Sequence, residues 1–287
     1  MAKLRKKIAR KIISHFALII VSLFSLFPIY FMLITAFSSI PAASISASSL
    51  IPNMKYFTIS NFSAVIQSGQ FYTVWLKNSL IYSLSAAAIG VTFSAMTGYA
   101  LSKYNFPGRT IVIYVIIILS LLPALVMVLP FYLLIGHYGL TNSYLGLIVV
   151  YISGGAVFTA ILTKNYMDSI PSDLEESALI DGYTRTQAFT KIILPLSKPI
   201  LYLALLLTFV APYTDYAFAN LFLTSPSLYP LSLGLYEASK SATNGSGVIL
   251  NYGIFTAFAL LMGIPIFIIY LIFQKNIISG LTMGAVK

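Results

Sequence analysis

The 287-residue chain contains no cysteine. That absence removes disulfides, thiolate metal sites and thiol nucleophiles from consideration. Histidine is nearly absent: His15 and His137 stand far apart, without ligand-like spacing, and read as membrane-interface side chains. Charge is scarce too. Only 8% of residues are charged, against about 25% in soluble domains. Of the seven acids, only Asp215 is embedded in a long apolar run. One such acid does not make the relay of ionisable groups expected of a proton-coupled carrier. Paired carboxylates, a His-metal cluster or a nucleophile–base pair for a membrane-embedded hydrolase are also missing. No G-x4-G-K-[ST] loop is present, and Gly245-Ser246-Gly247 lacks the lysine that would follow. The chain is therefore expected to be no enzyme, to bind no ATP and to hold no cofactor or metal.

What remains is apolar. Hydrophobic residues make up 59% of the chain and the mean hydropathy is +0.91. This composition specifies an all-α, polytopic membrane protein. Six stretches are long enough for membrane helices: 12–37, 73–98, 110–131, 143–163, 198–222 and 252–273. The first has the basic start of a signal peptide but exceeds the ~7–15 apolar residues of one, so it is read as a retained helix. Pro28, Pro123, Pro130, Pro212 and Pro265 lie within or near these spans. Such breaks imply a packed bundle with a water-accessible interior. Gly90, Ser94 and Gly98 recur every four residues, a small face against which another helix can pack closely.

The net charge of +10 is spread in a way that reports topology, not nucleic-acid binding. With the N-terminus inside, fourteen basic residues fall on inside segments; only Lys55, Lys77 and Lys240 fall outside. The positive-inside rule then places both termini in the cytoplasm, consistent with six spans in a cell membrane. Two outside segments, 38–72 and 223–251, are long enough to meet an extracytoplasmic partner.

Five of the seven acids cluster at Asp168, Asp173, Glu175, Glu176 and Asp181, in one inside loop. The loop reads as two short helices with a corner. Ser172 to Glu175 and Thr184 to Gln187 both fit capping boxes. Gly182 suits a left-handed helix end, and Leu194-Pro195 is expected to stop the second helix. Leu174, Ala178, Leu179, Ala188, Phe189, Ile192 and Ile193 would form its apolar side. An acidic surface is repelled by anionic lipid, so a protein partner is the better physical reading.

Glu176-Ser177-Ala178 with Gly182, followed by Ile192-Ile193-Leu194-Pro195, matches E-[AS]-A-x3-G-x9-I-x-L-P. This resembles the signature loop of ABC-importer permeases. Three further segments fall in order: Gly98 to Arg109, Gly139 to Leu147, and the tail Gly280 to Lys287. Together they resemble the second permease subunit of carbohydrate importers, the maltose-transporter type. The resemblance implies the type I importer permease fold. The implied division is 1–72 for the first helix and outer loop, 73–275 for the core with its coupling loop at 168–197, and 276–287 for the tail. It implies that Glu176, Ala178 and Gly182 form a coupling helix and its turn, with Glu175, Ser177 and Asp181 beside them. Ser177 departs from the usual alanine. Thr282, Gly284 and Lys287 of the tail would reach towards the ATPase. Implied partners are a second homologous permease, two copies of a cytoplasmic ABC ATPase that uses ATP and Mg, an extracytoplasmic sugar-binding protein and membrane lipid.

Tyr213, Asp215, Tyr216 and Asn220 combine aromatic faces with hydrogen-bonding groups and form a candidate sugar path. Relatives carry an aromatic-Asn-Glu-like sequence where this chain has Tyr213-Thr214-Asp215. A structural carboxylate is the alternative. The function expected is half of an importer's membrane path for a sugar. Alternatives are an importer permease for a peptide, phosphate or polyamine, and an ATP-independent transporter or channel.

Overall fold

The computed structural model describes residues 2–40, 51–244 and 247–283. The chain divides into two compact units, 1–69 with 235–263, and 70–234 with 264–287.

In the first unit, helix α1 (Ala2–Ala36) has no buried residue in its most apolar stretch. A helix apolar on every side is at home only where its surroundings are also apolar, as in lipid. Helix α2 (Ser60–Gln67) is tied to the end of α1 by one side chain. The Asn61 amide nitrogen donates to the carbonyls of Ala36 and Ser38, each at 2.9 Å. Phe37 stacks on Phe57 and leans on Phe62, sealing the same corner.

The second unit is built on α3 (Lys77–Lys103), which a π-helical turn at Phe71–Leu76 extends into one 33-residue span. Around it lie α4 (Arg109–Leu121), α5 (Ala124–His137), α6 (Tyr144–Asp168), the loop helices α7 (Ser172–Ile180), α8 (Arg185–Ala188) and α9 (Leu194–Leu196), then α10 (Lys198–Thr214) and α11 (Ala217–Phe222). Two elements bridge the division in sequence: α12 (Leu231–Ser239) and α13 (Tyr252–Met283). Strands β1 (Lys240–Asn244) and β2 (Gly247–Leu250) pair antiparallel between them and add a hairpin to an otherwise helical fold.

Four helical stretches are long and apolar enough to cross a membrane: Lys11–Ala36, Phe71–Lys103, Tyr144–Asp168 and Tyr252–Lys275. Two bent pairs bring the count to as many as six: Arg109–Leu121 with Ala124–His137, bent by 104°, and Arg185–Leu196 with Lys198–Thr214, bent by 77°. The stretch 110–131 is thus not one straight helix. Leu122 is held extended by the proline after it, and the ladder stops there. The stretch 198–222 also breaks, at Asp215, whose backbone is extended. By contrast, Gly154-Gly155 lies within a continuous helix.

The small face of α3 does what its spacing predicts. Ser94 and Thr163 of α6 share a hydrogen bond at 2.8 Å between their hydroxyls. Gly98 lies so close to α6 that an added Cβ would stand 2.9 Å from the Thr163 side chain and 3.0 Å from the Lys164 backbone nitrogen. Gly90 faces Thr208 of α10 with ordinary contact distance to spare, 3.5 Å. Without a hydrophobic driving force between helices in lipid, this close packing is what holds them together. Gly98→Ala should therefore lower stability by about 1–3 kcal/mol through overpacking, whereas Gly90→Ala should stay within about 0.5 kcal/mol of the parent. Thermal unfolding of the two variants in one detergent checks the contrast.

Candidate functional site

The loop between α6 and α10 is shaped by its own backbone. Asp181 is the C-cap of helix α7, and Gly182 follows at φ +89°, where L side chains are strained. Tyr183 N–H donates to the Ala178 carbonyl at 2.9 Å and Gly182 N–H to that of Leu179 at 3.2 Å, a Schellman closure. One residue later the capping box at Thr184 forms as its sequence predicts. Gln187 N–H donates to Thr184 Oγ1, and Thr184 N–H donates back to Gln187 Oε1 at 2.8 Å.

The matching pattern at Ser172 does not cap α7. Pro171 takes the N-cap position, and no side chain caps it. Glu175 instead turns inward, is only 7% exposed, and accepts a 2.6 Å hydrogen bond from the Tyr99 hydroxyl of α3. A buried carboxylate gains more from a protein donor than from an end group that water can serve. Pro195 also fails to stop the second helix. A π-helical turn at Phe189–Ile193 precedes it, and the helical run continues to Leu196 before bending at Ser197.

The loop therefore has two faces. Ala178, Ala188 and Ile193 are buried on the inner side with Glu175. Ile193 joins Tyr99, Tyr166, Met167, Ile170 and Ile200 in a core. Leu174, expected on this apolar side, is 44% exposed. The outer side carries Asp173, Glu176, Ser177, Asp181 and Gly182, all exposed. Ile180, to which the sequence reading gave no role, is 86% exposed among them. The ATPase-coupling residues expected from sequence thus divide: Glu176, Ser177, Asp181 and Gly182 face out, Glu175 and Ala178 face in. In the tail, Thr282 lies within α13, and Gly284 and Lys287 lie outside the described residues.

The four residues of the expected sugar path differ in exposure. Tyr213 is fully buried and stacks on Phe209 at 5.3 Å. Asp215 accepts from the backbone N–H groups of Phe218 and Ala219 at 3.4 and 3.0 Å, and from the Tyr151 hydroxyl at 2.8 Å. It starts α11 and fastens it to α6. Tyr216 and Asn220 are exposed. None of the four lines the open apolar groove of about 610 Å³ that Val91, Met96, Phe189 and Tyr202 help to form.

At the other end of α3, a polar cluster missed in the sequence holds residues 224–231. Asn78 donates to the carbonyls of Ser227 and Tyr229, and accepts from Tyr144 at 2.6 Å. Asn142, at φ +51°, accepts from Thr224 and Ser225 N–H and donates to the Ser225 hydroxyl. Asparagine tolerates that left-handed backbone, the one sequence signal available.

Broken apolar spans with a capped, two-faced helical loop between them are the architecture of a multi-pass membrane protein. The chain belongs to the family described as binding-protein-dependent transport system inner membrane component, which matches residues 90–283. It is 34% identical to the galactooligosaccharides transport system permease protein GanQ of Bacillus subtilis (strain 168), over 98% of each chain. It is 30% identical to the trehalose/maltose transport system permease protein MalG of Thermococcus litoralis, over 99% of each. Its fold is that of an ABC importer permease. It superposes with a TM-score of 0.76 and 25% identity on a chain of a bacterial ABC transporter involved in import of the acidic polysaccharide alginate, covering 92% of this chain and 95% of that one.

Substitution separates the two readings of Asp215. Asp215→Asn keeps an acceptor for the α11 amides and Tyr151 and should unfold near the parent temperature. Asp215→Ala should cost roughly 1–3 kcal/mol by leaving those donors unpaired. An alanine variant as stable as the parent would show that the carboxylate does not hold the fold.

Proposed function

We propose that this chain is one half of the membrane path of an ATP-driven importer for a sugar, most simply an oligosaccharide. The relatives named above transport galactooligosaccharides and trehalose or maltose, and the similarity runs nearly end to end. On this reading an extracytoplasmic binding protein delivers the sugar. A second, homologous permease completes the path. Two copies of a cytoplasmic ABC ATPase use ATP and Mg, and this chain does no chemistry. Both termini face the cytoplasm, as the lysine and arginine distribution favours. The division 1–72, 73–275 and 276–287 then separates an outer helix, the transport core and a tail reaching the ATPase through Thr282, Gly284 and Lys287.

The observation that carries the ATPase reading is the outer face of α7. An apolar side chain as exposed as Ile180, ringed by Glu176, Ser177 and Asp181, has the make-up of an anchor with a polar rim. Glu175 and Ala178 support that face from behind. The exposed Tyr216 and Asn220 are the better candidates for sugar contact; Asp215 and Tyr213 shape the wall.

Reconstituted with its ATPase, partner permease and binding protein, the complex should take up oligosaccharide only when ATP is present. Glu176→Lys and Ile180→Asp should each weaken ATPase association by a factor of roughly 30 or more, the worth of an interface anchor, with the permease still in the membrane. Co-purification and uptake measure this; full uptake by both variants would remove α7 from the ATPase interface.

A further inference from the structure

The Tyr99 hydroxyl gives the loop a connection that its packing alone does not supply. Tyr99 sits one residue after Gly98, where α3 closely approaches α6. Its ring stacks on Phe189 of the π-helical turn at 4.4 Å and meets Tyr104 edge-on at 5.6 Å. Its hydroxyl donates to Glu175 of α7 at 2.6 Å and lies 3.4 Å from the Arg185 carbonyl of α8. One side chain of the central helix thus touches both arms of the loop.

Among the described residues, no lysine or arginine forms an ion pair with Glu175. The ion pairs among the described residues are Lys164–Asp168 and Lys240–Glu237. Arg185, the nearest in sequence, places its guanidinium over the Tyr104 ring at 5.1 Å instead. Lys103, one turn beyond Tyr99, donates to the Ile170 carbonyl. The buried carboxylate therefore depends on Tyr99, in a short charge-assisted hydrogen bond.

We infer that the Tyr99–Glu175 hydrogen bond is the tensile link through which movement of the loop draws α3 with it, making Tyr99 and Glu175 positioning residues for transport. Apolar packing resists compression: when α7 is pushed towards the bundle, Ala178 and Phe189 bear on their neighbours and α3 follows. Packing resists separation weakly, because dispersion contacts fade within an ångström. A hydrogen bond to a buried charge resists separation, because breaking it strands the carboxylate. The return stroke, when the loop is drawn away from the bundle, runs through this bond. The inference rests on the importer reading above and adds which atoms carry the stroke.

Tyr99→Phe tests it, since the ring and its stacking remain and only the hydroxyl is lost. In the reconstituted complex, ATP hydrolysis should continue while sugar imported per ATP falls roughly tenfold, the factor such a bond is worth. The double variant Tyr99→Phe/Glu175→Leu strands no buried carboxylate and should show the same loss, not a further one. It also serves if the single variant fails to assemble. A parental import-to-hydrolysis ratio in either variant overturns the inference. If the parent complex itself shows no ATP-linked uptake, the importer reading is what has failed. The link is then read by hydrogen exchange, where amides 172–180 should exchange roughly tenfold faster in Tyr99→Phe, and unchanged exchange refutes it.

Discussion

The close approach of α3 to α6 and α10 is the constraint on which the rest of the permease depends. Between lipid-solvated helices, association relies on intimate contact and interhelical hydrogen bonds. Gly98 against Thr163, Ser94 bonded to Thr163, and Gly90 against Thr208 supply both. With α3 locked between two neighbours, its ends become fixed platforms. One end carries Asn78 and Tyr82, which grip the carbonyls of residues 227–229. The other carries Tyr99 and Lys103, which grip the loop. The same rigid element thus holds a polar cluster at each of its ends.

Polar groups in this bundle are placed with economy. Asp215, the acid that stands out in the apolar sequence, works as a helix start and a fastener to Tyr151. Thr159, Thr163 and Thr208 return their hydroxyls to carbonyls one turn back, which keeps them satisfied while leaving short side chains at the helix contacts. Tyr216 and Asn220, by contrast, stay exposed.

Much of this was legible in the sequence, and the exceptions share a cause. The apolar spans announce themselves by length, and the small face of α3 by its four-residue spacing. Gly182 and the Thr184 box follow from local backbone chemistry. The instructive pair is Ser172-x-x-Glu175 and Thr184-x-x-Gln187. Both fit the same local motif, yet only the second forms. Gln187 is exposed, so nothing competes for its amide. Glu175 is captured by a tyrosine 76 residues away. The Tyr151 partner of Asp215, 64 residues distant, was hidden for the same reason. Likewise Leu122-Pro123 marks a break in the sequence, but not the 104° angle between the two halves. Local rules fail here where a distant side chain makes the better offer.

The corner joining α7 to α8 closes on itself, through the Ala178 and Leu179 carbonyls on one side and the Thr184–Gln187 exchange on the other. None of these bonds uses the side chain of Glu176, Ser177 or Ile180. Substitution of those outer side chains therefore leaves the corner's own closure in place, whereas substitution of the inner ones does not. On the importer reading proposed above, point substitutions on this one exposed surface would alter the fit to an ATPase without altering the fold. The loop behaves as an adapter whose plug can be recut while its socket in the bundle stays the same.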